Sequence, residues 1–454
     1  MSDDAQRSLG ELLAWLDRHI NLEAIERGLA GRSAEPTLDR IRALCAALGD
    51  PQANYPAIHV TGTNGKGSTT RMATALLRAQ GLAVGTIMSP HLEQMNERIS
   101  RNFEPISDAD LLEGLLALES LERFVEARDL VSLPPTWFEL VTALAYRYFS
   151  DVAVDAAVVE VGLGGRWDAT NVIDAVVSVV TNVDLDHVEI LGPTRAHIAR
   201  EKAGIIKPGA TVVVGETDPE IVGVLEKEAE HAGAAALWRR DVEFACERSR
   251  IAYGGRVVDL RTPQGRYPEI FVPLFGAHQG LNASVALAAA EAFFGAPLAG
   301  DVVTEAFSEV TVPGRLEVVS RQPLVVLDGA HNPAGATVLG NALREDFAAA
   351  KNVVVVMGCL RGRDPIELLN AIGPARIAHV VATQPTSPRA QAAKIVADAA
   401  IAVGYEVTTI EDVDEAIRAA QDLAGDEDLV LVTGSLYVVG AARAFFRRLG
   451  SLRL

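Results

Sequence analysis

Apolar and polar residues alternate with a helical period at the start of the chain. The segment SLGELLAWLDRHINLEAIERGL carries apolar residues on one helical face, which predicts an amphipathic helix. A break follows at AGRSAEP, and LDRIRALCAALGDP predicts a second helix that ends at Gly49 and Pro51. The apolar positions of the first helix are Leu9, Leu12, Leu13, Leu16 and Ile20.

Further along, the pattern changes to short apolar runs, each followed by small residues and then by a helical pattern. The first run is AIHV, and others cover residues 156–162, 176–182 and 211–217. Runs that are apolar throughout suit parallel strands covered on both faces. Short alternating segments between residues 236 and 275 predict an antiparallel excursion.

A second series of apolar runs begins after Thr311. It comprises PLVVLDGAH, NVVVVMG, AHVVATQ, YEVTTI and LVLVTGS, separated by helical stretches. We therefore predict an α/β protein with a mostly parallel sheet in residues 1–310 and a smaller, Rossmann-like α/β domain in residues 311–454. The length of 454 residues also exceeds what one hydrophobic core usually serves.

Composition narrows the classes of partner. The chain is 49% hydrophobic and carries a formal net charge of −19, which argues against nucleic acid or an anionic membrane as the main partner. No apolar run reaches the roughly 18 residues that span a bilayer. The N-terminus has no basic region followed by an apolar one, and three scattered cysteines form no metal-type spacing, so we expect a reduced, cytoplasmic protein.

The strongest local signal is the segment VTGTNGKGST at residues 60–69. A strand, a glycine-rich turn and a helix follow one another, and backbone amides in such a turn can surround an anion. Lys66 would place its ammonium on the β- and γ-phosphates of a nucleotide. The glycine after the lysine departs from the common G-x-x-x-x-G-K-[ST] form, and the alternative is an ordinary glycine-rich turn. We predict a P-loop ATPase domain.

Charged residues follow three later elements. Glu160 ends an apolar strand, where a carboxylate is costly unless it binds a cation or hydrogen-bond donors. Asp184, Asp186 and His187 follow the next strand, at the edge where open α/β sheets place ligands. Lys202 lies in IAREKAGIIKPG. The alternatives are a solvated edge carboxylate, a structural histidine and a surface Glu–Lys pair.

Several blocks in fixed order resemble folylpolyglutamate synthases and dihydrofolate synthases. They are HVTGTNGKGST, SPHLEQMNERIS, EVGLGGRWDATN, DHVEILG with IAREKAGIIKPG, HQGLNASVALAA, VPGRLE, LDGAHNPAG and TGSLYVVG, and they span residues 59–440. The phosphate loop is shared with the Mur ligases of cell-wall synthesis. The SPHL, GLGGR and DGAHN blocks point to the folate branch.

This resemblance implies a carboxylate–amine ligase that uses ATP and two Mg²⁺ ions to join L-glutamate to dihydropteroate or a reduced folate through an acyl phosphate. Residues 1–310 would bind ATP and folate, and residues 311–454 would form the glutamate-ligase domain. The implied metal ligands are Ser89, Glu160, His187 and a carbamylated Lys202. The implied ATP-binding residues are Asn64, Gly65, Lys66, Gly67, Ser68, Asn282, Arg315 and Asp328. The implied catalytic residues are Lys66, His187, Lys202 and Arg315.

The resemblance also implies two substrate sites. His331 and Ser435 would bind the incoming glutamate. The pterin pocket would be lined by Thr136, Trp137, Phe138, Glu139, Trp167, Asp168 and Ala169. From the residues alone, Asn282 could be a polar position on an apolar helix, and Asp328, His331 and Ser435 could be turn residues.

Three features depart from the family pattern. Met95 stands where an aromatic residue is common, Arg361 and Arg363 replace a lysine–aspartate element, and the GLAGRSAEPTLDR segment is longer than its counterpart. Two rival functions stay open at this point. One is a Mur-type ligase acting on a UDP-linked cell-wall precursor, and the other is a catalytically silent nucleotide-binding relative. In either case we expect a monomer that binds neither nucleic acid nor membrane.

Overall fold

The computed structural model describes residues 7–21, 36–127, 134–373 and 376–450. Their helices, in chain order, are α1 Leu9–Leu16, α2 Asp39–Ala47, α3 Lys66–Ala79, α4 Asp108–Ala127, α5 Trp137–Asp151, α6 Val188–Leu191, α7 Arg195–Ala203, α8 Pro219–Ala232, α9 His278–Phe294, α10 Gly300–Ser308, α11 Pro333–Glu345, α12 Pro365–Ile372, α13 Ala393–Val403, α14 Val413–Leu423 and α15 Leu436–Arg448.

The strands of the described residues form three sheets. They are β1 Ala57–Thr61, β2 Val84–Ile87, β3 Ile99–Arg101, β4 Glu104–Pro105, β5 Ala156–Glu160, β6 Val177–Val180, β7 Thr211–Val214, β8 Ala236–Arg239, β9 Ala245–Ala252, β10 Gly255–Arg261, β11 Arg266–Val272, β12 Glu317–Arg321, β13 Leu324–Leu327, β14 Val353–Met357, β15 Ile377–Ala382, β16 Glu406–Thr409 and β17 Leu429–Thr433.

The first sheet has eight strands in the order β4-β3-β2-β5-β1-β6-β7-β8. The six strands from β2 to β8 run parallel, and β3 and β4 add an antiparallel edge. The central strands β1, β5 and β6 are buried throughout, as their apolar runs predict. In this register Val60 pairs with Glu160, so the phosphate loop and the carboxylate follow neighbouring strands at one edge.

The antiparallel excursion is present but begins later than predicted. Strands β9, β10 and β11 form a separate antiparallel sheet, with β10 in the middle. The prediction was wrong for residues 236–239, because β8 pairs in parallel with β7 and extends the first sheet. All four residues of β8 are only partly buried, as an edge strand allows.

The third sheet has the order β12-β13-β17-β14-β15-β16. All five apolar runs predicted after Thr311 form its parallel strands, and β12 adds an antiparallel edge that the pattern did not predict. Helices cover both faces, so this unit is doubly wound α/β. The predicted domain boundary near Thr311 falls in the segment between α10 and β12.

The N-terminal helices partly match their predictions. The first is helical over α1 only, and the prediction was wrong for residues 17–21, which include Ile20 and follow the end of the helix at Leu16. The second is confirmed by α2. The rest of the first predicted helix and most of the break at AGRSAEP lie in residues 22–35, outside the described part. All three cysteines are free thiols. None of the helices in the described ranges has both the length and the apolar content to cross a membrane.

Two groups of contacts join the third sheet's unit to the rest of the chain, away from the phosphate loop. Arg256 of β10 donates to both carboxylate oxygens of Asp346, at 3.0 and 2.7 Å, and the rings of Phe275 and Phe347 pack 4.9 Å apart. On another side, Arg443 of α15 donates to Glu93 at 2.8 Å. These contacts hold the two α/β units around a shared cleft.

Candidate active site

The phosphate loop connects β1 to α3 and is held by the chain that leaves β6. Asn64 N–H donates to Asn182 Oδ1 at 2.9 Å, and Thr181 Oγ1 donates to the Asn64 carbonyl at 2.7 Å. A Cβ atom at Gly62 would lie 1.8 Å from Thr181 Oγ1, so this position requires glycine. The loop is therefore preorganised by its neighbour strand, as an anion-binding turn needs to be.

Lys66 begins α3 and curls back over the loop. Its Nζ donates to the carbonyls of Gly62 at 3.1 Å and Thr63 at 3.4 Å. Gly65 has a φ of 81° and faces Asn282, whose Oδ1 would lie 2.6 Å from a Cβ at that position. Gln279 Oε1 in turn accepts from Asn282 Nδ2 at 3.0 Å. The predicted ATP-binding residues of α3 and α9 thus meet at one turn.

Glu160 lies beside this loop at the end of β5. Its Oε2 accepts from the backbone N–H of Ser89 at 3.2 Å, and its Oε1 faces Gly67, 3.6 Å from the position of a Cβ there. Burial raises the pKa of Glu160, and the positive charges of Lys66 and Arg315 act in the opposite direction. Ser89, Glu160 and the phosphate loop therefore lie together, while Ser68 is buried in the first turn of α3.

Asp186 and His187 follow β6 on the other side of the loop. Asp186 Oδ1 accepts from Arg363 Nη1 at 2.6 Å, and Arg363 Nη2 lies 3.4 Å from His187 Nε2. Burial raises the pKa of Asp186, but the charges of His187, Arg363 and His331 together bring it well below its usual range. Burial lowers the pKa of His187. The loop thus offers a neutral imidazole next to a firmly ionised carboxylate.

Lys202 lies on α7 and is buried. Burial lowers the pKa of its ammonium to about 7, and the nearby charge of Lys66 acts in the same direction. The glycine loop after β5 packs directly on it, since a Cβ at Gly165 would lie 2.7 Å from the Lys202 carbonyl. An amine with a pKa of about 7 is neutral in roughly half of the molecules at pH 7, and the neutral form is nucleophilic.

The second α/β unit contributes Arg315 and Asp328. The Asp328 carboxylate accepts from the backbone N–H groups of Leu316 at 3.0 Å and Ala330 at 2.9 Å, so it ties the segment after α10 to the end of β13. A Cβ at Gly329 would lie 2.2 Å from Arg315 Nη1, which places the guanidinium against this turn. Burial raises the pKa of Asp328, and Arg315 opposes that change.

His331 and Ser435 end two neighbouring strands of the third sheet. His331 Nδ1 lies 2.8 Å from the Gly329 carbonyl and donates to it, which leaves Nε2 as an acceptor. Burial lowers the pKa of His331 to about 4, with Arg363 acting in the same direction. Ser435 is buried and caps α15, since its Oγ accepts from the backbone N–H of Val438 at 3.2 Å. Its hydroxyl proton remains available as a donor.

Asn332 connects the two halves of the site, which are the part built on residues 1–310 and the part built on residues 311–454. Its Nδ2 donates to Asp186 Oδ2 at 2.9 Å and lies 3.2 Å from Asn64 Oδ1 in the phosphate loop. Its Oδ1 meanwhile caps α11 by accepting from the Gly335 N–H at 2.8 Å. The turn that holds Asp328 and His331 is therefore in direct contact with the phosphate loop.

The predicted pterin-lining segment 136–139 has mixed roles. Thr136 and Glu139 form a reciprocal cap at the start of α5, and the Glu139 carboxylate is also paired with the buried Arg40 at 2.9 Å. Trp137 is buried and donates from Nε1 to Asp17 at 3.2 Å. These three side chains have structural contacts of their own, and Phe138, which is partly buried, is the member of the segment that reaches toward the glycine loop.

Phe138 and Asp168 meet across Gly162. A Cβ at Gly162 would lie 2.8 Å from Phe138 Cζ and 3.2 Å from Asp168 Oδ2. The Trp167 side chain is 49% exposed, and Ala169 is buried in the following turn. Glycine at 162 therefore lets an aromatic ring and a carboxylate approach the same point of the chain, next to the half-exposed indole of Trp167.

Sequence reasoning missed several residues that build this site. Thr181 and Asn182 lie at the end of the apolar run 176–182 but were not assigned to the phosphate loop, and Asn332 stands in LDGAHNPAG without a predicted role. Arg363 was noted only as a departure from the family pattern. The available signal was a polar residue directly after an apolar strand, which applies to Asn182 as it does to Glu160.

Comparison with known proteins gives two family matches. A family model for the Mur ligase middle domain matches residues 139–290, and one for the Mur ligase glutamate ligase domain matches residues 314–436. The first match covers Glu160, His187 and Lys202, and the second covers Arg315, Asp328 and His331. Each half of the cleft thus lies in a recognised ligase domain.

Individual relatives narrow the family. A dihydrofolate synthase/folylpolyglutamate synthase of Mycobacterium tuberculosis is 42% identical over 447 residues, covering 91% of each chain, and one of Bacillus subtilis is 36% identical over 90% of this chain and 94% of its own. The solved Mycobacterium tuberculosis folylpolyglutamate synthase complexed with ADP superposes with a TM-score of 0.89 at 41% identity, covering 96% of this chain and 98% of that one. A structure described as an FPGS–AMPPCP–folate complex has a TM-score of 0.81 at 32% identity, covering 96% of this chain and 99% of that one. The chain belongs to the dihydrofolate synthase/folylpolyglutamate synthase family of Mur ligases.

Proposed function

We propose that this chain uses ATP to join L-glutamate to the carboxylate of dihydropteroate, of a reduced folate or of both. Relatives named for these activities match nearly the whole chain, and related structures contain ADP, AMPPCP or folate. The observation that carries the proposal is the contact of Asn332 with Asp186 and Asn64, because it brings the half that would hold glutamate onto the phosphate loop.

The first step would activate the acid. A carboxylate oxygen of the pterin substrate attacks the γ-phosphorus of ATP, the bond from that phosphorus to the bridging oxygen breaks, and ADP leaves with an acyl phosphate remaining. The charges of Lys66 and Arg315 both act on the buried Glu160, and they would stabilise the charge on the phosphoryl oxygens. The protein's contribution is positioning and electrostatics.

The second step would form the amide. The amino group of glutamate loses a proton, its nitrogen attacks the acyl carbon, and collapse of the tetrahedral intermediate breaks the carbon–oxygen bond to phosphate. A second proton leaves the nitrogen as the amide forms. His331 and Ser435 would bind the glutamate at the strand ends that face the phosphate loop. Closure of the two halves would exclude water, which otherwise hydrolyses the acyl phosphate.

The residues present fit Mg²⁺. In the described ranges, no three His, Cys, Asp or Glu side chains converge as a preformed cage. Mg²⁺ seldom needs one, since it is usually bound by one or two protein oxygens together with phosphates and water. Glu160 is buried between the phosphate loop and Ser89, which suits one ion, and His187 could supply one further ligand. Bound Mg²⁺ would neutralise charge on the phosphates. A count of two ions stays a prediction.

Carbamylation of Lys202 is part of the proposal. The ammonium would first lose one proton, and reaction of the neutral amine with CO₂ would then form a carbamate and release a second proton, so that a buried cation becomes an anion with two oxygen ligands. Burial and the charge of Lys66 favour the neutral amine that this reaction needs. Incorporation of isotope-labelled bicarbonate, detected by NMR, should occur in the native chain and be absent from Lys202→Ala. Equal labelling of both would contradict it.

The pterin ring of the substrate would lie between the Phe138 ring and the Asp168 carboxylate. An aromatic ring offers a flat apolar face, and a carboxylate accepts hydrogen bonds from the N–H groups along the edge of a pterin ring. The Cβ position at Gly162 lies 2.8 Å from Phe138 Cζ and 3.2 Å from Asp168 Oδ2, so the two groups come together at this point of the glycine loop. Either pterin substrate carries the same ring, so this pocket by itself does not choose between them.

The test is glutamate-dependent release of ADP with each pterin substrate in turn. We expect turnover with dihydropteroate, with a reduced folate or with both, and none with a UDP-linked peptide. The UDP-linked rival is not favoured, because the relatives that match nine-tenths of the chain bear folate-enzyme names. ATP binding without glutamate-dependent ADP release would support the silent relative instead. Lys66→Ala should abolish turnover with the fold intact. A cytoplasmic monomer remains our prediction.

A further inference from the structure

Two buried residues form a chain of hydrogen bonds that ends at the Asp168 carboxylate. The Thr170 hydroxyl donates to Asp168 Oδ1 at 2.5 Å, and His59 Nε2 lies 2.8 Å from the same hydroxyl oxygen. His59 is in the middle of β1 and Thr170 is in the turn after β5's glycine loop, and neither side chain is exposed. His59 and Thr170 stand in HVTGTNGKGST and EVGLGGRWDATN, but neither has a role predicted from the sequence.

The direction of this chain is fixed by proton counting. Thr170 has one hydroxyl proton, and that proton goes to Asp168, so His59 must donate from Nε2–H. His59 Nδ1 is then a bare acceptor, and it is buried without a hydrogen-bond partner among the described residues. Burial lowers the pKa of His59 to about 3, with Lys207 acting in the same direction, so the imidazole stays neutral.

The backbone around Thr170 is held as well. Tyr146 donates from its hydroxyl to the Thr170 carbonyl at 2.7 Å, and Tyr55 donates to the Tyr146 carbonyl at 3.1 Å. On the other side of the carboxylate, Asp168 Oδ2 accepts from the Leu163 N–H at 2.9 Å. Each oxygen of Asp168 therefore has a fixed donor, and these two donors fix the rotation of the carboxylate.

We propose that His59 and Thr170 are positioning residues that orient the Asp168 carboxylate for hydrogen bonding to the N–H edge of the pterin ring. The inference rests on the proposed function, since it assigns that edge to Asp168. Phe138 lies on the same side of Gly162 as Asp168 Oδ2, so a small rotation of the carboxylate would displace it relative to the ring face. Recognition of the pterin ring would thus depend on His59, although His59 does not contact the substrate.

Paired substitutions test each link. Thr170→Val keeps the shape but removes the hydroxyl, and Thr170→Ser restores it. His59→Leu removes the donor, and His59→Gln can place an amide N–H where Nε2 lies. We expect Thr170→Val and His59→Leu to raise the KM for the pterin substrate by about tenfold or more, as loss of a hydrogen bond in a charged network does. The KM values for ATP and glutamate should stay within about twofold, and the Ser and Gln variants should recover most of the loss.

A double-mutant cycle shows whether the effect passes through Asp168. In an Asp168→Asn background, Thr170→Val should add little to the KM for pterin. Thr74→Val is the matched control, because Thr74 is a buried threonine whose hydroxyl bonds elsewhere, to the Thr70 carbonyl and to Thr86. It should leave all three KM values near those of the native chain.

Three results would overturn the inference. They are an unchanged pterin KM in Thr170→Val, an equal rise in all three KM values, and full additivity with Asp168→Asn. Thermal unfolding and ADP binding of each variant, measured alongside, separate a local effect from loss of the fold. If the native chain itself released no ADP with glutamate and either pterin, the proposed function would fail first, and the cycle would not be reached.

Discussion

Arg363 Nη1 lies 2.6 Å from Asp186 Oδ1 and joins the loop after β14 to the loop after β6. Asn332 donates to the other oxygen of the same carboxylate, at 2.9 Å. Asp186 thus receives two donors from the third sheet's unit, and the same Arg363 lies 3.4 Å from Nε2 of its neighbour His187. This buried carboxylate therefore couples the relative position of the two halves to the geometry of the catalytic cleft.

Replacing Arg363 with alanine should weaken the contact between the two α/β units. Removing one partner of a buried ion pair leaves the other charge uncompensated, which costs about 3–5 kcal/mol in comparable pairs. We expect kcat/KM for glutamate-dependent ADP release to fall by at least about tenfold, because the closed cleft becomes less populated. Small-angle scattering should show a larger radius of gyration in the variant.

Arg361→Ala is the matched control for this prediction. Arg361 is two residues away and donates to the Pro388 carbonyl at 2.6 Å, within its own unit. Its loss should change kcat/KM much less than the loss of Arg363. Equal effects of the two substitutions would show that the loop matters only for its own structure and that the pair with Asp186 has no role in closure.

Short-range signals were enough to predict the parallel strands and the placement of Lys66 and Glu160. Lys66 comes after β1 and Glu160 ends β5, both strands are mainly apolar, and the carboxyl ends of parallel strands share one edge of a sheet. The same signal failed at residues 236–239, where β8 is a partly buried edge strand. Its pattern does not differ from that of the antiparallel strands that follow.

Contacts between the halves could not be predicted from local pattern. Asn332 lies 146 residues from its partner Asp186, and Arg363 lies 177 residues from it. Neither residue type is unusual in a loop after a strand, so nothing in the local sequence identifies the partner. The relative position of the two α/β units decides both contacts. The His59–Thr170 bond likewise depends on register in three dimensions, across 111 residues.

Gly440 and Gly223 should respond oppositely to alanine. Both are inside helices, where alanine normally stabilises by roughly 0.5–1 kcal/mol. A Cβ at Gly440 would lie 1.9 Å from the Leu92 carbonyl oxygen, whereas a Cβ at Gly223 meets nothing within 4 Å. We expect Gly440→Ala to lower the free energy of unfolding by roughly 1–3 kcal/mol and Gly223→Ala to raise it by up to about 1 kcal/mol.

Urea unfolding of the two variants beside the native chain measures both changes. Leu92 is three residues after Ser89, so Gly440→Ala should also slow ADP release, while Gly223→Ala should not. If Gly440→Ala were as stable and active as Gly223→Ala, the close approach of α15 to the Ser89 loop would not exist in solution.

His331→Ala should raise the KM for glutamate more than the KM for ATP. The Nδ1 atom of His331 is engaged with the Gly329 carbonyl, so Nε2 is held as a neutral acceptor in the cleft. An acceptor of this kind can bind the ammonium or amine of the incoming amino acid. Loss of one such bond should cost about 1.5–3 kcal/mol, which corresponds to an increase in KM of roughly tenfold or more.

The control is His379→Ala, since His379 lies on β15 and bonds to Thr408 Oγ1 at 2.8 Å, on the far side of the third sheet. Steady-state kinetics of both variants with glutamate and ATP varied in turn should separate the two histidines. A larger change in the KM for ATP than in that for glutamate would reverse the roles assigned to the two halves.

His59 should make the native state less stable as the pH falls. Its pKa is about 3 in the folded protein, against 6.5 ordinarily, because burial disfavours the imidazolium. Below about pH 6.5 the unfolded chain binds a proton that the folded chain does not, so the free energy of unfolding falls by up to about 1.4 kcal/mol per pH unit until about pH 3. Above about pH 6.5 neither state binds this proton, so the contribution of His59 to the free energy of unfolding is constant. His59→Gln cannot titrate, and the partly buried His278 and His331 contribute equally to both chains. Urea unfolding at about pH 7.5 and about pH 5 should therefore show the native chain losing more stability than His59→Gln on acidification, by about 2 kcal/mol.

A difference between the two chains that did not change with pH would mean that His59 is accessible to protons in the folded state. The hydrogen bond from its Nε2 to Thr170 could not then hold Asp168 in place.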